Sequence, residues 1–141
     1  MVDVKYLEFA KQTPISRGNG AESYPLVGKI DGTDAFTAGI SSFPPGLNVP
    51  MHSHNVEEMV TVLEGSGECV IDGIVRPVKL WDTTFIPPGI VHCFRNTGTG
   101  TMKIMWVYAT TNVTRTFAET GITVEHLSGE DLVSSNPTDQ L

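Results

Sequence analysis

The stretch Gly46-Leu-Asn-Val-Pro-Met-His52-Ser-His54-Asn-Val-Glu-Glu58 places two histidines and a glutamate at short, regular spacing. Side chains two residues apart on a strand point to the same face, so we expect His52 and His54 to share a face. Glu58 has the same parity if the strand continues without a bulge, and Val60 extends that face. Burying these polar groups without partners would cost several kcal/mol. The pattern therefore predicts a metal site rather than an ordinary core.

A second stretch, Pro87-Pro-Gly89-Ile-Val-His92-Cys-Phe-Arg-Asn96, supplies a third histidine after a turn signal. An isolated His-x-His pair is weak evidence, because a single histidine is common both in cores and on surfaces. Three histidines and a glutamate together are stronger, since imidazole is a common metal ligand and a carboxylate adds a hard oxygen. We predict that one divalent metal is bound by His52, His54, Glu58 and His92.

The two stretches resemble the two motifs of the cupin superfamily and cover about residues 46–96. The first family motif is a glycine, five residues, His-x-His, three or four residues, a glutamate, six residues and a glycine. It is matched by Gly46, His52, His54, Glu58 and Gly65. The second is a glycine, five residues, Pro-x-Gly, two residues, a histidine, three residues and an asparagine. It is matched by Pro87, Gly89, His92 and Asn96, with Trp81 in the place of the opening glycine.

The resemblance implies an all-β fold, namely a cupin (jelly-roll-like) β-barrel of two antiparallel sheets with little helix. The composition agrees, because 14 glycines and 9 prolines among short apolar runs are typical of such folds. We expect a single cupin domain over residues 1–141, with the barrel core at about 35–110. Residues 1–20 are predicted to form an irregular, flexible lead-in, and residues 136–141 a flexible tail.

Apolar runs between turn signals predict the strands. We expect them at 24–30, 35–43, 56–63, 68–71, 74–80, 83–86, 91–95 and 102–109, with two shorter ones at 114–117 and 122–127. Asp72-Gly73 is a strong signal for a two-residue hairpin turn. Residues 130–133 are predicted to make one helical turn.

The walls of the pocket follow from strand parity. We expect the charged side chain of Lys103 to face solvent. Because side chains alternate along a strand, Trp106 and Tyr108 of the same strand should then face the interior. Phe94 shares a face with His92. We therefore expect an apolar, partly aromatic pocket. Its predicted walls are Phe36, Val60, Phe94 and Trp106. Tyr108 is the best candidate for a catalytic side chain that handles a proton.

The predicted ligand set has consequences for chemistry. Three neutral imidazoles and one carboxylate leave a divalent ion with a net charge of about +1. On an octahedral ion these ligands leave two neighbouring positions open, which favours catalysis over a purely structural role. The ligand types do not choose between iron, manganese, nickel, cobalt and zinc. His126, the fourth histidine of the chain, is interpreted as a surface residue outside this site.

Three classes of function remain open. The leading hypothesis is a non-haem metal dioxygenase acting on a small enolisable or aromatic substrate, because such an enzyme needs few side chains beyond the metal. The alternative is a non-redox Lewis-acid isomerase, cyclase or lyase acting on a small metabolite, which needs a placed acid or base such as Tyr108. The third is a non-catalytic small-molecule binding or sensor protein.

The charge distribution limits the partners of the chain. A formal net charge of −7 without a Lys/Arg cluster argues against nucleic-acid binding. No apolar run approaches the length of a membrane span, and the first residues lack the core of a signal peptide, so we expect a cytoplasmic protein with no membrane association and a small-molecule substrate. Sheet edges need cover, and small cupins resemble one another in pairing through them. We therefore expect a homodimer.

Overall fold

The computed structural model describes residues 3–133. Within that range the chain forms twelve short strands and two single turns of 3-10 helix, at Phe9–Lys11 and Lys29–Asp31. The strands are β1 (Ile15–Gly18), β2 (Ala21–Val27), β3 (Thr37–Phe43), β4 (His52–His54), β5 (Glu58–Glu64), β6 (Ser66–Ile71), β7 (Ile74–Lys79), β8 (Thr83–Ile86), β9 (His92–Arg95), β10 (Met102–Tyr108), β11 (Thr114–Phe117) and β12 (Thr123–Glu125). The predicted all-β class with little helix is confirmed.

The strands are arranged in two six-stranded antiparallel sheets. The first sheet has the order β1-β2-β3-β10-β5-β8, and the second has the order β12-β11-β4-β9-β6-β7. The inward-facing apolar side chains of both sheets form one core cluster. Within the described residues no ladder of hydrogen bonds joins one sheet to the other. The fold is therefore jelly-roll-like, as expected, but the two sheets do not close into a barrel.

Strand β10 lies in the middle of the first sheet, and its burial pattern shows which face of the sheet is turned toward the interior. Its alternate residues Met102, Ile104, Trp106 and Tyr108 are buried, and those between them are partly exposed. Lys103 on the outer face reaches toward Glu64 of the neighbouring strand β5. The inward direction of Trp106 and Tyr108 is thus confirmed.

The segment that carries the first motif does not form one continuous strand. His52 and His54 lie on β4 in the second sheet, whereas Glu58 begins β5 in the first sheet. The chain crosses from one sheet to the other over residues 55–57. The strand expected over 56–63 therefore does not continue the histidine strand, although Glu58 still points inward because the two sheets face each other.

Two tight turns join strands that follow this crossing in the chain. Asp72 and Gly73 both have positive φ, +52° and +79°, and they join β6 to β7 as the predicted hairpin. Trp81 also has a positive φ, +73°, in the turn between β7 and β8. The tryptophan therefore adopts the left-handed backbone that the glycine of the second motif would supply.

The first part of the chain contributes more structure than predicted. Residues 1–20 include strand β1, so they are not wholly an irregular lead-in, whereas β11 and β12 lie where the two short strands at 114–117 and 122–127 were expected. Residues 130–133 contain no helical turn. The predicted flexible tail at 136–141 lies outside the described residues. In the part of the chain that the structure describes, no helix is long and apolar enough to cross a membrane.

Candidate metal site

The three motif histidines meet between the sheets with their rings held in fixed orientations. Each ring turns its Nδ1 atom toward a backbone carbonyl oxygen at 2.6–2.9 Å. The pairs are His52 with Pro50, His54 with Thr114, and His92 with Ile90. A carbonyl oxygen only accepts, so Nδ1 carries the proton in each ring and Nε2 keeps a lone pair. Metal-binding histidines are commonly oriented in this way.

The ligand atoms of these histidines form a compact group. One ligand nitrogen from each of His52, His54 and His92 can be chosen so that all three lie within 4.8 Å of one another. All three rings are at most 5 % exposed. Burial, followed by the charge of Arg115, lowers the pKa of His52 well below its usual value. Burial is also the main cause that lowers the pKa of His54 to about 4. These two rings are therefore neutral near pH 7, which is the form that binds metals.

Glu58 approaches this group from the opposite sheet. Its Oε1 atom lies 3.1 Å from Nε2 of His92 and 3.8 Å from Nε2 of His54. Burial alone would raise the pKa of Glu58, but the close approach of the imidazoles of His92 and His54 outweighs it, and the pKa lies below its usual value. The carboxylate falls outside the tighter group of three histidines. It is near two of them and not near His52.

The donor set fits a divalent ion. With Nδ1 protonated, Nε2 of His92 presents a lone pair to an oxygen of Glu58, and two acceptors at 3.1 Å repel unless a proton or a metal lies between them. Two ligands bound at about 2.1 Å and at right angles around one ion are about 3.0 Å apart. The observed separation agrees with that value.

Tyr108 lies beside the histidine cluster. It is directly opposite Glu58 in the ladder between β10 and β5, and its hydroxyl oxygen is 3.3 Å from Nε2 of His54. Burial, followed by the negative charge of Glu58, raises the pKa of Tyr108 well above its usual value. The hydroxyl is therefore protonated at neutral pH and can donate a proton or a hydrogen bond within the site.

Two arginines that the sequence pattern did not reveal also line the site. Arg115 lies directly opposite His54 in the ladder between β11 and β4. Arg17, on β1, and Arg115 both reach Asp131, with Nη2 and Nε respectively 3.0 and 2.7 Å from its Oδ1 atom. All three residues are at most 5 % exposed. A buried cluster of two cations and one anion therefore stands next to the histidines.

A chain of hydrogen bonds connects this cluster to Trp106. Arg17 Nη1 donates to Oγ of Ser23 at 2.8 Å, and the hydroxyls of Ser23 and Ser41 are 2.8 Å apart. The Nε1–H group of Trp106 donates to Oγ of Ser41, also at 2.8 Å. The indole ring is thereby fixed in the wall of the site, which is the position that strand parity predicted for it.

His126 is only half-exposed and lines the site, so the prediction that it is a surface residue outside this site was wrong. Its ring packs against Trp106 and Tyr108, with centroid separations of 4.8 Å to each. Burial, followed by the charge of Arg115, lowers the pKa of His126 well below its usual value. The Nε2 atom is buried and has no hydrogen-bond partner among the described residues. His126 follows Val124 by two positions and shares its inward face, which explains the placement.

The enclosed space between these residues is small and has mixed polarity. The cavity measures about 30 Å³, which is room for about two water molecules. Its wall includes Arg17, Ser41, Phe43, Val49, His52, Glu58, His92, Phe94, Ile104, Trp106, Tyr108, Arg115, His126 and Val133. His126 also lines an outer groove of about 330 Å³ between β11 and the residues after β12. The cavity and the groove thus meet at this side chain.

The predicted pocket residues have different positions. Phe94 and Trp106 line the cavity, whereas Val60 is buried in the core without facing it. Phe36 is 38 % exposed and does not belong to the pocket. Strand β3 begins after it, and the side of β3 that faces inward carries Ser41 instead.

Comparison with known proteins agrees with this architecture. A family model described as a cupin domain matches residues 39–108. The dimethylsulfoniopropionate lyase DddW of Ruegeria pomeroyi is 31 % identical over 93 residues, which is 59 % of this chain and 59 % of the lyase. The chain spans 17–59 % of the length of the curated relatives it matches.

Solved structures give the same result. A predicted oxalate decarboxylase from Thermotoga maritima is 26 % identical, with a TM-score of 0.67 over 75 % of this chain and 99 % of that one. A sugar phosphate isomerase of the cupin superfamily from Silicibacter pomeroyi is 21 % identical, with a TM-score of 0.72 over 92 % of this chain and 90 % of that one. At 21 % identity, the similarity to the sugar phosphate isomerase concerns the fold alone.

Proposed function

Starting from the fact that this chain belongs to the cupin family, we propose that it is a metal-dependent enzyme with non-redox Lewis-acid chemistry. It acts on a small organic metabolite as an isomerase, cyclase or lyase. The observation that carries this proposal is the protonated hydroxyl of Tyr108, 3.3 Å from Nε2 of His54 and opposite Glu58. Reactions of this class need a positioned acid or base next to the metal.

The metal ligands in this proposal are His52, His54, His92 and Glu58. The hydrogen-bonded Nδ1 atoms and the short approach of Glu58 to His92 support the assignment. A divalent ion bound there supplies Lewis acidity, which polarises a carbonyl or enolate oxygen of the substrate. The metal is one of iron, manganese, nickel, cobalt and zinc, and none of these needs to change its oxidation state in such a reaction.

The side chains around the ligands complete the proposed site. Tyr108 holds a proton that it donates to the reacting oxygen or carbon and then recovers. Trp106, fixed by its hydrogen bond to Ser41, and Phe94 belong to the apolar part of the wall that keeps water from the substrate. His126 is located where a substrate entering from the outer groove reaches the cavity.

A dioxygenase is less well supported by this wall. Oxygen chemistry at the metal would be favoured by an apolar lining without a second acid or base. The cavity instead contains Arg17, Arg115, Tyr108 and His126 in addition to the ligands. A non-catalytic binding protein would not require Tyr108 to stand beside a metal ligand.

The proposal is tested by turnover with and without dioxygen. The full-length protein is loaded with zinc or with iron under anaerobic conditions and is assayed against small enolisable carbonyl compounds. We expect turnover with zinc in the absence of oxygen and no oxygen uptake with either metal. Activity that requires iron and consumes oxygen would instead establish the dioxygenase.

Oligomeric state and location are further parts of the proposal. We propose a homodimer, because Phe85 and Trp81 leave large apolar side chains 65 % and 67 % exposed at the β8 edge of the first sheet. Light scattering at micromolar concentration should give a dimeric mass, and a monomeric mass would contradict the homodimer.

A cytoplasmic location is tested by fractionation of cells that express the natural protein.

A further inference from the structure

The buried cluster of Arg17, Arg115 and Asp131 has an excess of positive charge. Asp131 is the acceptor that both guanidinium groups approach, at 3.0 and 2.7 Å. All three side chains are at most 6 % exposed. A buried cation is costly unless it is paired, and one carboxylate cannot neutralise two guanidinium groups. The arrangement therefore calls for a second anion.

The hydrogen bonds show which donors are available to that anion. Arg17 uses Nε to bind the carbonyl oxygen of Asp131 and Nη1 to bind Ser23, so each of its terminal nitrogens retains a further N–H group. Arg115 Nε is close to Asp131 but makes no aligned hydrogen bond to any described residue. Nε2 of His126 likewise has no partner within residues 3–133. Both arginines therefore keep N–H groups for a further acceptor, and Nε2 of His126, which is a donor in one of the two neutral tautomers, lies beside them in the wall of the cavity.

The size and charge of the cavity restrict the anion. Two arginines and a divalent ion would carry four positive charges, against two negative charges from Glu58 and Asp131. The space of about 30 Å³ favours a compact, planar group. A guanidinium fork matches the plane and the two oxygens of a carboxylate.

We propose that Arg17, Arg115 and His126 form a carboxylate-binding subsite beside the histidine cluster, and that the substrate is a small carboxylic acid. This inference deepens the proposed function, on which it rests, because it names the substrate class. The carboxylate accepts hydrogen bonds from both guanidinium groups and from Nε2–H of His126. The neighbouring part of the molecule then faces the metal ligands and Tyr108.

The subsite is tested with acetate and its neutral analogue acetamide, which has nearly the same shape. Binding to the full-length protein is measured by calorimetry, once after chelation of metals and once with zinc. We expect acetate to bind in both states and acetamide to bind at least about tenfold more weakly. Because the chelated protein is included, the subsite can be confirmed even if the metal proposal fails. Equal binding of the two probes, or tighter binding of inorganic phosphate than of acetate, would overturn the inference.

Substitutions assign the effect to residues. Arg115→Met keeps much of the side-chain length and leaves Asp131 paired with Arg17, and it should weaken acetate binding at least about tenfold. Arg76→Met, on the exposed face of β7, is the matched control and should leave acetate binding unchanged. If Arg115→Met does not fold, acetate binding is measured with His126→Ala instead. Removal of this ring should be better tolerated, because it makes no side-chain hydrogen bond in the described structure. Full acetate affinity in a folded Arg115→Met or His126→Ala variant contradicts the subsite.

Discussion

Glu58 and His92 lie on strands of opposite sheets, yet Oε1 of the first and Nε2 of the second are 3.1 Å apart. The contact forms because the chain crosses between the sheets just before Glu58, while His92 stands directly opposite His52 on the neighbouring strand. Each motif thus supplies ligand atoms to a point that neither sheet could build alone. Loss of either residue should therefore affect metal binding more than folding.

The first prediction concerns metal content. His92→Ala and His52→Ala should weaken binding of a divalent metal by more than about 10- to 100-fold, which is already the effect of removing an outer hydrogen-bond partner of a ligand. Glu58→Gln should weaken it as well, because the amide removes the negative charge. Metal per protein is measured by elemental analysis after dialysis, and the melting temperature reports on folding.

The control for this series is His126→Ala. His126 is half-buried near His54 but is not one of the three clustered ligands, so its removal should leave the metal content unchanged. A His92→Ala variant that retains full metal after dialysis would show that the ligand assignment is wrong. A Glu58→Gln variant with unchanged affinity would restrict the ligands to the histidines.

The second prediction concerns Tyr108. Tyr108→Phe retains the buried ring and removes only the hydroxyl that lies 3.3 Å from His54. If this hydroxyl donates a proton in the reaction, kcat should decrease about 10²- to 10⁴-fold. Metal content should remain close to that of the unaltered protein, because the hydroxyl is not among the proposed ligands.

Tyr6→Phe is the matched control, since Tyr6 is 87 % exposed and distant in the chain from both motifs. It should leave kcat unchanged. A Tyr108→Phe variant with nearly full activity would favour the dioxygenase over a lyase or isomerase, because oxygen chemistry at the metal does not require this acid.

The inward placement of the histidines could be predicted from sequence because the pattern that determines it is local. A spacing of two residues puts His52 and His54 on one face in any strand, and a Pro-Pro-Gly turn precedes His92. The path between His54 and Glu58 could not be predicted in the same way. A continuous strand and a crossing between facing sheets both leave Glu58 pointing inward, so parity alone does not distinguish them.

The positions of Arg115 and His126 depend on long-range pairing. Arg115 faces the site because β11 pairs with β4, about 60 residues earlier in the chain, and the sequence carries no direct record of that register. For His126 a local signal existed, since it lies two residues after the buried Val124. Its ring packs on Trp106 and Tyr108 only through the tertiary fold, which no strand pattern reveals.

The third prediction concerns Gly39, which lies under the indole ring of Trp106. A Cβ atom at this position would overlap the ring carbons Cη2 and Cζ2 of Trp106 and would come 2.8 Å from the carbonyl oxygen of Tyr24. Gly39→Ala should therefore displace the ring from Ser41 and destabilise the protein by about 1–3 kcal/mol, the usual cost of overpacking. Chemical denaturation measures the change.

Gly100→Ala serves as its control. A Cβ atom at Gly100 meets no other atom within 4 Å, and its φ lies outside the left-handed range. This substitution should leave the free energy of unfolding within about 0.5 kcal/mol of its original value. If the two alanine variants are equally stable, the close contact between Gly39 and Trp106 is not maintained in solution.

The fourth prediction concerns Trp81, which takes the place of the glycine that opens the second motif. Its φ of +73° costs a residue with a side chain about 1–2 kcal/mol, and its ring is 67 % exposed, so burial offsets little of that cost. The turn itself is retained in a variant, because Asp82 N–H donates to Lys79 O at 2.9 Å and Trp81 N–H donates to Val62 O at 2.9 Å. Trp81→Gly should relieve the backbone strain. Trp81→Ala also removes the ring, but it should keep the strain, because alanine still has a side chain.

The comparison between these two variants isolates the backbone effect from the loss of the ring. Glycine gains about 1–2 kcal/mol from relief of strain but loses about 0.4–1 kcal/mol through the greater freedom of the unfolded chain. The glycine variant should therefore exceed the alanine variant in free energy of unfolding by about 0.5–1 kcal/mol, measured by urea denaturation. An alanine variant as stable as the glycine variant would mean that the turn relaxes to a negative φ once the indole is gone.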